Sequence, residues 1–330
     1  MALSKVKRRA ALICTTYNCV DELQDALTMF SSDENIQLLS AIVVVDGGST
    51  DGTWELLEKW AQKVPKLKVY RVPGANISRG RNEAIKRTDA EIIVTFDSGT
   101  NYSHDWLKLM LEPFEDDTVK VVGGLTVACG ETMFARCWAA FSNLKENVAR
   151  KPSHRGCAFY REVWEKIGGY PEHVHAGEDT WFNTQWEKMG FKYVNVPQAK
   201  SFWKVRSTWG ALFKMQRRNA KGHVTLGEPS DTWKFFFITS LYLFIGLCFI
   251  GGFYNYNLWY VGIGIYVLYT MWRLLCKGRW RIFVNPIKLL VGWYALIAFD
   301  LGMTLGTIEG TALFLKYKIT GKKKKGNTYE

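Results

Sequence analysis

Two acidic residues directly follow apolar runs that have the composition of buried strands. Asp46 follows residues 41–45, and Asp97 follows residues 92–96. Uninterrupted, largely β-branched runs are typical of strands buried in a parallel sheet. The carboxyl ends of parallel strands share one edge, where open α/β sheets bind ligands. Because carboxylates also bind hard divalent ions, the two strand ends together predict a site for a polyphosphate and a metal ion.

The turn after Asp46 is rich in glycine and hydroxyl groups. Gly47 and its neighbouring glycines let the backbone approach a ligand closely, while Asp51 can cap the helix that begins near Trp54. Alone, this segment reads as a simple strand-to-helix turn with Asp51 as its cap. The second acidic strand end, at Asp97, favours a ligand site instead.

Cations and a further acidic pair could complete such a site. Arg79 and Arg81 lie where a helix should begin, and cations beside free backbone N–H groups suit a diphosphate. For Arg79 a solvated basic turn is an equal alternative. Glu178 and Asp179 precede another predicted helix, which Asp179 could cap. His154 reads as an ordinary loop histidine.

The loop after the first strand argues against a nicotinamide enzyme. Residues 15–18, Thr-Thr-Tyr-Asn, stand where a dinucleotide-binding fold carries three glycines. Tyr17 could lie against a nucleobase and Asn18 could bond to its edge. The alternative is a surface turn that caps the helix predicted for residues 20–30.

The elements that hold these residues occupy only part of the 330-residue chain. Charged residues recur regularly up to about residue 230, and an α/β domain of about 200 residues fits there. Residues 235–317 have the composition of membrane spans. We expect a first domain at 1–202, an amphipathic interfacial helix and linker at 203–232, a membrane domain at 233–318 and a basic tail at 319–330.

The membrane domain is expected to have three spans. They are predicted at about 234–252, 257–276 and 287–315, the last as one long helix with the tail outside. Gly302, Gly306 and Gly310 recur every four residues, which predicts a face for close helix contact. Asp300 and Glu309 lie in the same stretch, where carboxylates usually face protein or a functional group.

The net charge of +12 does not indicate a nucleic-acid partner. Its lysines and arginines cluster beside apolar segments, which fits anionic lipid headgroups better than a nucleic-acid groove. The apolar run after Arg9 is too short for a secretory signal, so we expect a multi-pass protein of the cell membrane with a cytoplasmic catalytic domain. The seven cysteines have no metal or redox spacing. Cys129 and Cys137, with Cys157 nearby, could cross-link a loop, but reduced thiols are expected.

Five short motifs, taken in order, resemble those of the family 2 glycosyltransferases. They are residues 15–18, 45–52, 81–82, 96–99 and 177–179. The resemblance implies a GT-A fold, which is an α/β domain with a mixed, mostly parallel sheet between helices. It also implies nucleotide-sugar contacts by Thr15, Tyr17, Asn18, Asp46, Gly47, Asp51, Arg81, Asp97 and Ser98.

The resemblance further implies the catalytic groups and a metal. Asp179 would be the general base, with Glu178 beside it, and Asp97 would hold Mn²⁺ or Mg²⁺. The chain departs from the family twice. Its Asp-x-Asp motif reads Asp97-Ser98-Gly99, and residues 201–203, Ser-Phe-Trp, stand where relatives often carry a histidine. Metal binding should therefore be weaker than in relatives.

Resemblance to dolichyl-phosphate mannose synthases and to a reduced cellulose-synthase architecture suggests a reaction. It implies inverting transfer of mannose from GDP-mannose to a dolichyl- or polyprenyl-phosphate acceptor, as in N-glycan precursor assembly in an archaeon. Gln216, Arg217 and Arg218, on the amphipathic helix at 209–221, are acceptor or diphosphate candidates, although the Gln-x-x-Arg-Trp register of processive relatives is broken. The alternatives are a processive polysaccharide synthase and a non-catalytic membrane protein that binds nucleotide sugar or lipid.

Overall fold

The computed structural model of the chain describes residues 9–142, 151–227, 229–276 and 285–320. Its internal contacts divide these residues into two compact units. The first contains residues 9–127 and 151–203, and the second contains residues 128–142, 204–227, 229–276 and 285–320. Each unit is described by itself.

The first unit is built on an eight-stranded sheet with the order β3-β2-β1-β4-β7-β6-β8-β5. Its strands β1 to β4 pair in parallel, β7 is antiparallel to both β4 and β6, and β5 is antiparallel to β8. The sheet is therefore mixed, as predicted, with β1 to β4 and β6 pointing the same way. The strands are β1 (Ala10–Thr16), β2 (Ala41–Asp46), β3 (Leu67–Arg71), β4 (Ile92–Phe96), β5 (Thr100–Tyr102), β6 (Val119–Cys129), β7 (Gly156–Tyr160) and β8 (Lys192–Lys204).

Apolar side chains project from both faces of the central strands. In β1, Leu12 and Cys14 pack into one buried cluster while Ala11 and Ile13 pack into another. Alternate residues of a strand point to opposite faces, so a strand that is apolar throughout needs cover on both sides. Helices supply that cover: α1 (Val20–Phe30), α2 (Asp33–Leu38), α3 (Thr53–Lys63), α4 (Ile77–Lys86), α5 (Trp106–Leu111), α7 (Arg161–Ile167) and α8 (Glu178–Lys188).

The second unit is helical. Two of its helices, Thr232–Gly251 and Pro286–Thr320, have the length and composition of a membrane span. The three-span arrangement therefore stays a prediction, although α11 begins and ends where the middle span was expected. The helices of this unit are α6 (Met133–Ser142), α9 (Trp209–Leu226), α10 (Pro229–Gly251), α11 (Asn257–Cys276) and α12 (Pro286–Thr320).

The last of these helices, α12, is continuous over 35 residues. This confirms the prediction that residues 287–315 form one long helix. The side of the membrane on which the tail lies stays a prediction, and residues 321–330 fall outside the described part of the chain. The six cysteines whose side chains are described are free thiols, as expected.

The glycine face of α12 contacts α9. A Cβ atom on Gly302 would lie 2.5 Å from the carbonyl oxygen of Phe213, and one on Gly310 would lie 2.8 Å from that of Lys221. Gly306 is closer still to the α9 backbone, at Arg217. Glycine therefore permits a backbone approach that a side chain would prevent, which confirms the predicted close-contact face.

A buried ion pair joins α11 to α12. The Arg273 Nη1 atom lies 2.5 Å from Asp300 Oδ1, and the Tyr242 and Tyr269 hydroxyls lie 3.0 and 3.4 Å from Asp300 Oδ2. Asp300 is fully buried and the Arg273 side chain is 12% exposed. Both oxygens of this carboxylate thus have partners from neighbouring helices, so it faces protein, one of the two environments expected for it.

Candidate active site

Asp46, at the end of β2, is buried and organises the turn that follows it. Its Oδ2 atom accepts hydrogen bonds from the backbone N–H groups of Gly48 and Ser49, both at 3.0 Å. Its Oδ1 atom accepts from the Ser49 hydroxyl, and the Nε atom of Arg71 lies 3.7 Å from Oδ2. The carboxylate therefore fixes the glycine turn, and Gly47 packs within it near the carbonyl of Ala75.

The loop after β1 is bonded to this turn. The Asn18 side-chain oxygen accepts from the Thr50 N–H at 2.9 Å, and the Asn18 N–H donates to the Ser49 hydroxyl at 2.9 Å. Asn18 has φ +47°, a left-handed conformation that asparagine tolerates. With its amide oxygen committed to the loop, Asn18 shapes the site, while Tyr17 is 63% exposed beside Gly47 and presents a ring surface.

Asp51 acts as a cap. Its carboxylate accepts from the Thr53 hydroxyl and N–H at 2.6 and 3.1 Å and from the Val20 N–H at 3.2 Å. The Thr53 hydroxyl is the main reason that the pKa of Asp51 is lowered. Asp51 thus ties the first turn of α3 to that of α1, as the capping interpretation predicted, and its contact with a nucleotide sugar stays a prediction.

The start of α4 packs directly under the β1 loop. Asn76 caps α4 by accepting from the Arg79 N–H at 2.9 Å. A Cβ atom on Gly80 would overlap the Thr15 side chain, so glycine is required for this approach. Thr15 is thereby a packing residue against α4, and the Arg79 side chain is half-buried.

Arg81, one turn into α4, joins three predicted motifs. Its guanidinium donates to Glu178 Oε1 at 3.0 Å and to Asp97 Oδ1 at 3.3 Å. The residue is 5% exposed. Burial alone would lower the pKa of Arg81, but Asp97 and Glu178 raise it above its usual value, so the group stays charged.

The acidic pair at the start of α8 divides into a buried and an accessible member. Glu178 is buried against Arg81, and burial together with neighbouring Asp179 raises its pKa. Asp179 is half-buried and accepts from the Thr180 N–H at 2.7 Å. Since a base must reach its substrate, Asp179 is the better placed of the two.

Asp97 lies just beyond β4, with its side chain 38% exposed. Its backbone N–H donates to the Tyr102 hydroxyl at 2.9 Å, and that hydroxyl donates to the Arg155 carbonyl at 2.7 Å. Ser98 faces inward to the Cys19 thiol. A Cβ atom on Gly99 would have no atom within 4 Å, so the missing second carboxylate leaves open space.

Arg155 is a site residue that the sequence did not reveal. Its Nε atom lies 3.8 Å from Asp97 Oδ2, and its guanidinium carbon lies 4.4 Å from the centre of the Trp203 ring. Thr100 of β5 pairs with Trp203 of β8, which places the ring next to the Asp97 turn. The only available signal was that Trp203 stands where relatives often carry a histidine.

His154 lies in the turn before β7, as the loop interpretation predicted, but the residue is fully buried. Its Nδ1 and Nε2 atoms lie 2.6 Å from the Tyr170 hydroxyl and 3.0 Å from Asn183 Oδ1. Burial, with Arg81 next, lowers the pKa of His154 to about 4. We assign the neutral tautomer in which Nε2 donates to Asn183 and Tyr170 donates to Nδ1, because an amide oxygen can only accept.

The described residues contain no group of three or more His, Cys, Asp or Glu side chains that could hold a metal ion. Asp97 is the one motif carboxylate at the turn, and both of its oxygens face guanidinium groups. A divalent ion there would need most of its oxygen ligands from a bound diphosphate and water. The other predicted candidates, Gln216, Arg217 and Arg218, lie on α9 of the second unit, where Arg217 pairs with Glu309.

Comparison with known proteins shows what part of this chain is similar to. The model of the family described as glycosyl transferase family 2 matches residues 11–162. "Glycosyltransferase AglE" of Haloferax volcanii is 23% identical over 222 residues, which cover 65% of this chain and 72% of that protein. The "Uncharacterized glycosyltransferase YfnE" of Bacillus subtilis is 26% identical over 117 residues, 36% of this chain and 30% of that protein.

A solved structure shares the fold. "Mannosyltransferase PcManGT from Pyrobaculum calidifontis in complex with GDP-Man and Mn2+" aligns with a TM-score of 0.60 and 19% sequence identity, covering 91% of this chain and 87% of that chain. Asp179 and Trp203 lie beyond the residues that the family model matches. The mixed sheet and its two acidic strand ends thus lie in a region, residues 11–162, that is similar to the glycosyl transferase family 2 model.

Proposed function

We propose that the chain transfers a sugar from a nucleotide-sugar donor to a lipid-linked acceptor with inversion at the anomeric carbon. The observation that carries this proposal is the contact of Arg81 with both Asp97 and Glu178. It joins the end of β4, the start of α4 and the start of α8 at one sheet edge. A cation, a strand-end carboxylate and an acidic pair in one place are the groups that a diphosphate leaving group and an attacking hydroxyl require.

GDP-mannose is the proposed donor. The solved mannosyltransferase with the same fold was determined with GDP-Man, and the motif order resembles that of mannose synthases. The exposed ring of Tyr17 offers a stacking surface for a base, and it lies beside the glycine turn that follows Asp46.

Asp179 is proposed as the base. The acceptor oxygen attacks the anomeric carbon, the bond from that carbon to the phosphate oxygen breaks, and the nucleoside diphosphate leaves with the electron pair. The hydroxyl proton passes to the Asp179 carboxylate. Glu178 is instead a positioning residue, because its carboxylate is buried and engaged with Arg81.

A divalent ion, Mn²⁺ or Mg²⁺, stays part of the proposal. Asp97 would hold it, and the ion would supply positive charge to the diphosphate. The solved structure with this fold was determined with Mn²⁺. This chain provides one motif carboxylate, so we expect weaker metal affinity than a pair of carboxylates would give.

The acceptor is proposed to be a dolichyl or polyprenyl phosphate, bare or carrying a glycan, at the cytoplasmic face of the cell membrane. Two helices have the length and composition of spans. The α9 helix buries Leu212 and Met215 while exposing Lys214 and Arg218, an arrangement suited to an interface rich in anionic lipids. N-glycan precursor assembly is the proposed pathway.

The direct test is transfer by purified protein from a panel of nucleotide sugars to a lipid phosphate and to a lipid-linked sugar. A sugar hydroxyl needs a base, whereas a lipid phosphate is already an anion, so Asp179→Asn should lose about 100- to 10,000-fold on the lipid-linked sugar only. Glu187→Gln, an exposed carboxylate on the same helix, is the matched control. Absence of transfer with every donor would refute the proposal, and a ladder of polymer products would instead indicate a processive synthase.

A further inference from the structure

Arg155 has a charged group that is held in place and still has donors to offer. Its side chain is 31% exposed, and the described residues show one side-chain hydrogen bond from it, Nη1 to the Ser153 hydroxyl at 3.0 Å. A guanidinium carries five N–H donors. The contact with Asp97, at 3.8 Å, is too long to be a hydrogen bond, so several donors remain for a ligand.

Two neighbours fix the position of this cation. The Trp203 ring lies 4.4 Å from the guanidinium carbon, a stacking distance that orients the planar group. The Tyr102 hydroxyl bonds to both the Asp97 N–H and the Arg155 carbonyl, which couples the two backbones. Burial, followed by Asp97, raises the pKa of Tyr102, so this hydroxyl keeps the proton that it donates.

Arg155 differs from Arg81 in what it can still bind. Arg81 is almost fully buried, and its guanidinium is engaged by two carboxylates. Arg155 lies beside one of those carboxylates, Asp97, and its side chain is partly exposed. Arg81 and Arg155 thus face two carboxylates, Asp97 and Glu178, and the accessible members of this group are Arg155 and Asp97.

Because Gly99 stands where a second carboxylate would be expected, Asp97 and Arg155 are the accessible charged groups of this turn. A Cβ atom on Gly99 would have no neighbour within 4 Å, so packing does not exclude an aspartate there. Where a pair of carboxylates would gather a divalent ion, this turn presents one carboxylate beside a guanidinium. Arginine is well suited to a phosphate because its fork of N–H groups can contact two oxygens at once.

We propose that Arg155 binds the diphosphate of the donor directly and supplies much of the positive charge there, so that a nucleoside diphosphate binds to this chain in the absence of a divalent metal. The inference rests on the proposed function. It assigns to Arg155, held by Trp203 and Tyr102, a role in binding the leaving group that does not pass through Asp97.

The test measures binding of GDP and UDP to the full chain by calorimetry, once in excess EDTA and once in Mn²⁺. We expect binding in EDTA, and a loss of about 10- to 100-fold in Arg155→Gln, the range for hydrogen bonds to a charged group. Arg155→Lys keeps the charge but not the planar fork and should lose less. Lys59→Gln removes an exposed cation from α3 and is the control for net charge.

Gly99→Asp provides the opposite perturbation. An added carboxylate should weaken binding in EDTA by repulsion and should increase the gain from Mn²⁺, which electron paramagnetic resonance of bound Mn²⁺ can follow independently. Thermal unfolding of each variant shows whether it is folded. Wild-type binding that requires Mn²⁺ and is unchanged in Arg155→Gln would overturn the assignment of Arg155 but not the proposed function. No binding of either nucleotide under both conditions would overturn both.

Discussion

Two clusters in this molecule each contain an arginine paired with a carboxylate, and they differ in what remains available. Around Asp300, Arg273 and two tyrosine hydroxyls occupy both carboxylate oxygens, and the carboxylate is fully buried. Around Asp97, the carboxylate is 38% exposed beside a turn with open space at Gly99. A closed cluster of this kind holds helices together, whereas an open one can bind a ligand.

The comparison shows why burial of charge alone does not identify a site. Desolvation makes an unpaired buried charge costly in both clusters, so the buried arginines Arg273 and Arg81 each need carboxylate partners. The two clusters differ in how many hydrogen-bond donors and acceptors remain available for a ligand. In the first unit, Arg155 is partly exposed and has unused N–H donors that a ligand could accept. Among the described residues, the Asp300 cluster has no such group.

The largest expected effect is on stability, from opening the closed cluster. Asp300→Ala leaves Arg273 buried without its carboxylate, and we expect a loss of about 3–5 kcal/mol in the free energy of unfolding. Thermal unfolding in detergent measures it. Glu309→Ala removes a partly exposed carboxylate from the same helix and should cost about 1 kcal/mol or less. Equal losses in the two variants would show that burial of the Asp300 cluster adds nothing to its contribution to stability.

The next prediction concerns the open cluster around Asp97 and its effect on activity. Asp97→Asn should reduce kcat by about 100- to 1,000-fold, the range for removing one preorganised electrostatic group. Its effect on stability should be small, about 1 kcal/mol or less, because Asp97 is partly exposed and Arg81 keeps Glu178. Kinetics and unfolding of the same preparation separate these effects. A large loss of stability would mean that Asp97 is structural, like Asp300.

His154, whose carbonyl oxygen faces Arg81, should make the first unit sensitive to acid. Its pKa is about 4 in the folded chain against an ordinary 6.5. Between these values the unfolded chain binds a proton that the folded chain does not, so stability falls as pH falls from 6.5 toward 4. The slope should reach about 1.4 kcal/mol per pH unit.

Comparing wild type with a His154 variant separates the contribution of His154 to the pH dependence of stability from that of the carboxylates. The difference in unfolding free energy between wild type and His154→Gln should change with pH over this window and become constant below it. Gln can still bond to Tyr170 and Asn183 but does not titrate. A difference that does not vary with pH would show that His154 is already protonated in the folded chain.

The smallest expected effect tests how tightly α12 is held. Gly306→Ala places a methyl group against the α9 backbone and should cost about 1–3 kcal/mol. Gly264→Ala is the matched control, because a Cβ atom on this α11 glycine meets nothing within 4 Å. Unfolding measurements on both variants compare the same substitution in closed and open surroundings. No difference between them would mean that the α9–α12 contact contributes little.

The sequence predicted the elements whose signals are local. The strands ending at Asp46 and Asp97, the helix starts at α4 and α8, and the length of α12 all follow from apolar runs and the residues that end them. Arg155 could not be predicted, because its environment depends on Trp203, which only the pairing of β5 with β8 brings near. The burial of His154 was not predicted for a similar reason, because it depends on contacts with Tyr170 and Asn183.

Two polar site candidates have partners within the fold, while their contacts with a nucleotide sugar stay predictions. Asp51 and Asn18 fit the motif pattern, yet their oxygens bond to backbone N–H groups of adjoining loops. Short polar side chains in turns compete for such bonds, and no spacing rule separates that use from ligand binding. The difference between Glu178 and Asp179 likewise depends on which of two adjacent side chains faces Arg81, a matter of helix orientation.

The open space beside Gly99 has an evolutionary consequence. Every glycine codon is a single nucleotide away from a codon for an acidic residue, and here the new side chain would meet no steric barrier. A lineage of this chain could therefore move between one and two carboxylates at this turn without rebuilding the fold. How strongly such enzymes depend on the metals of their surroundings would then be a trait that selection can adjust at one position, with Arg155 able to buffer the change.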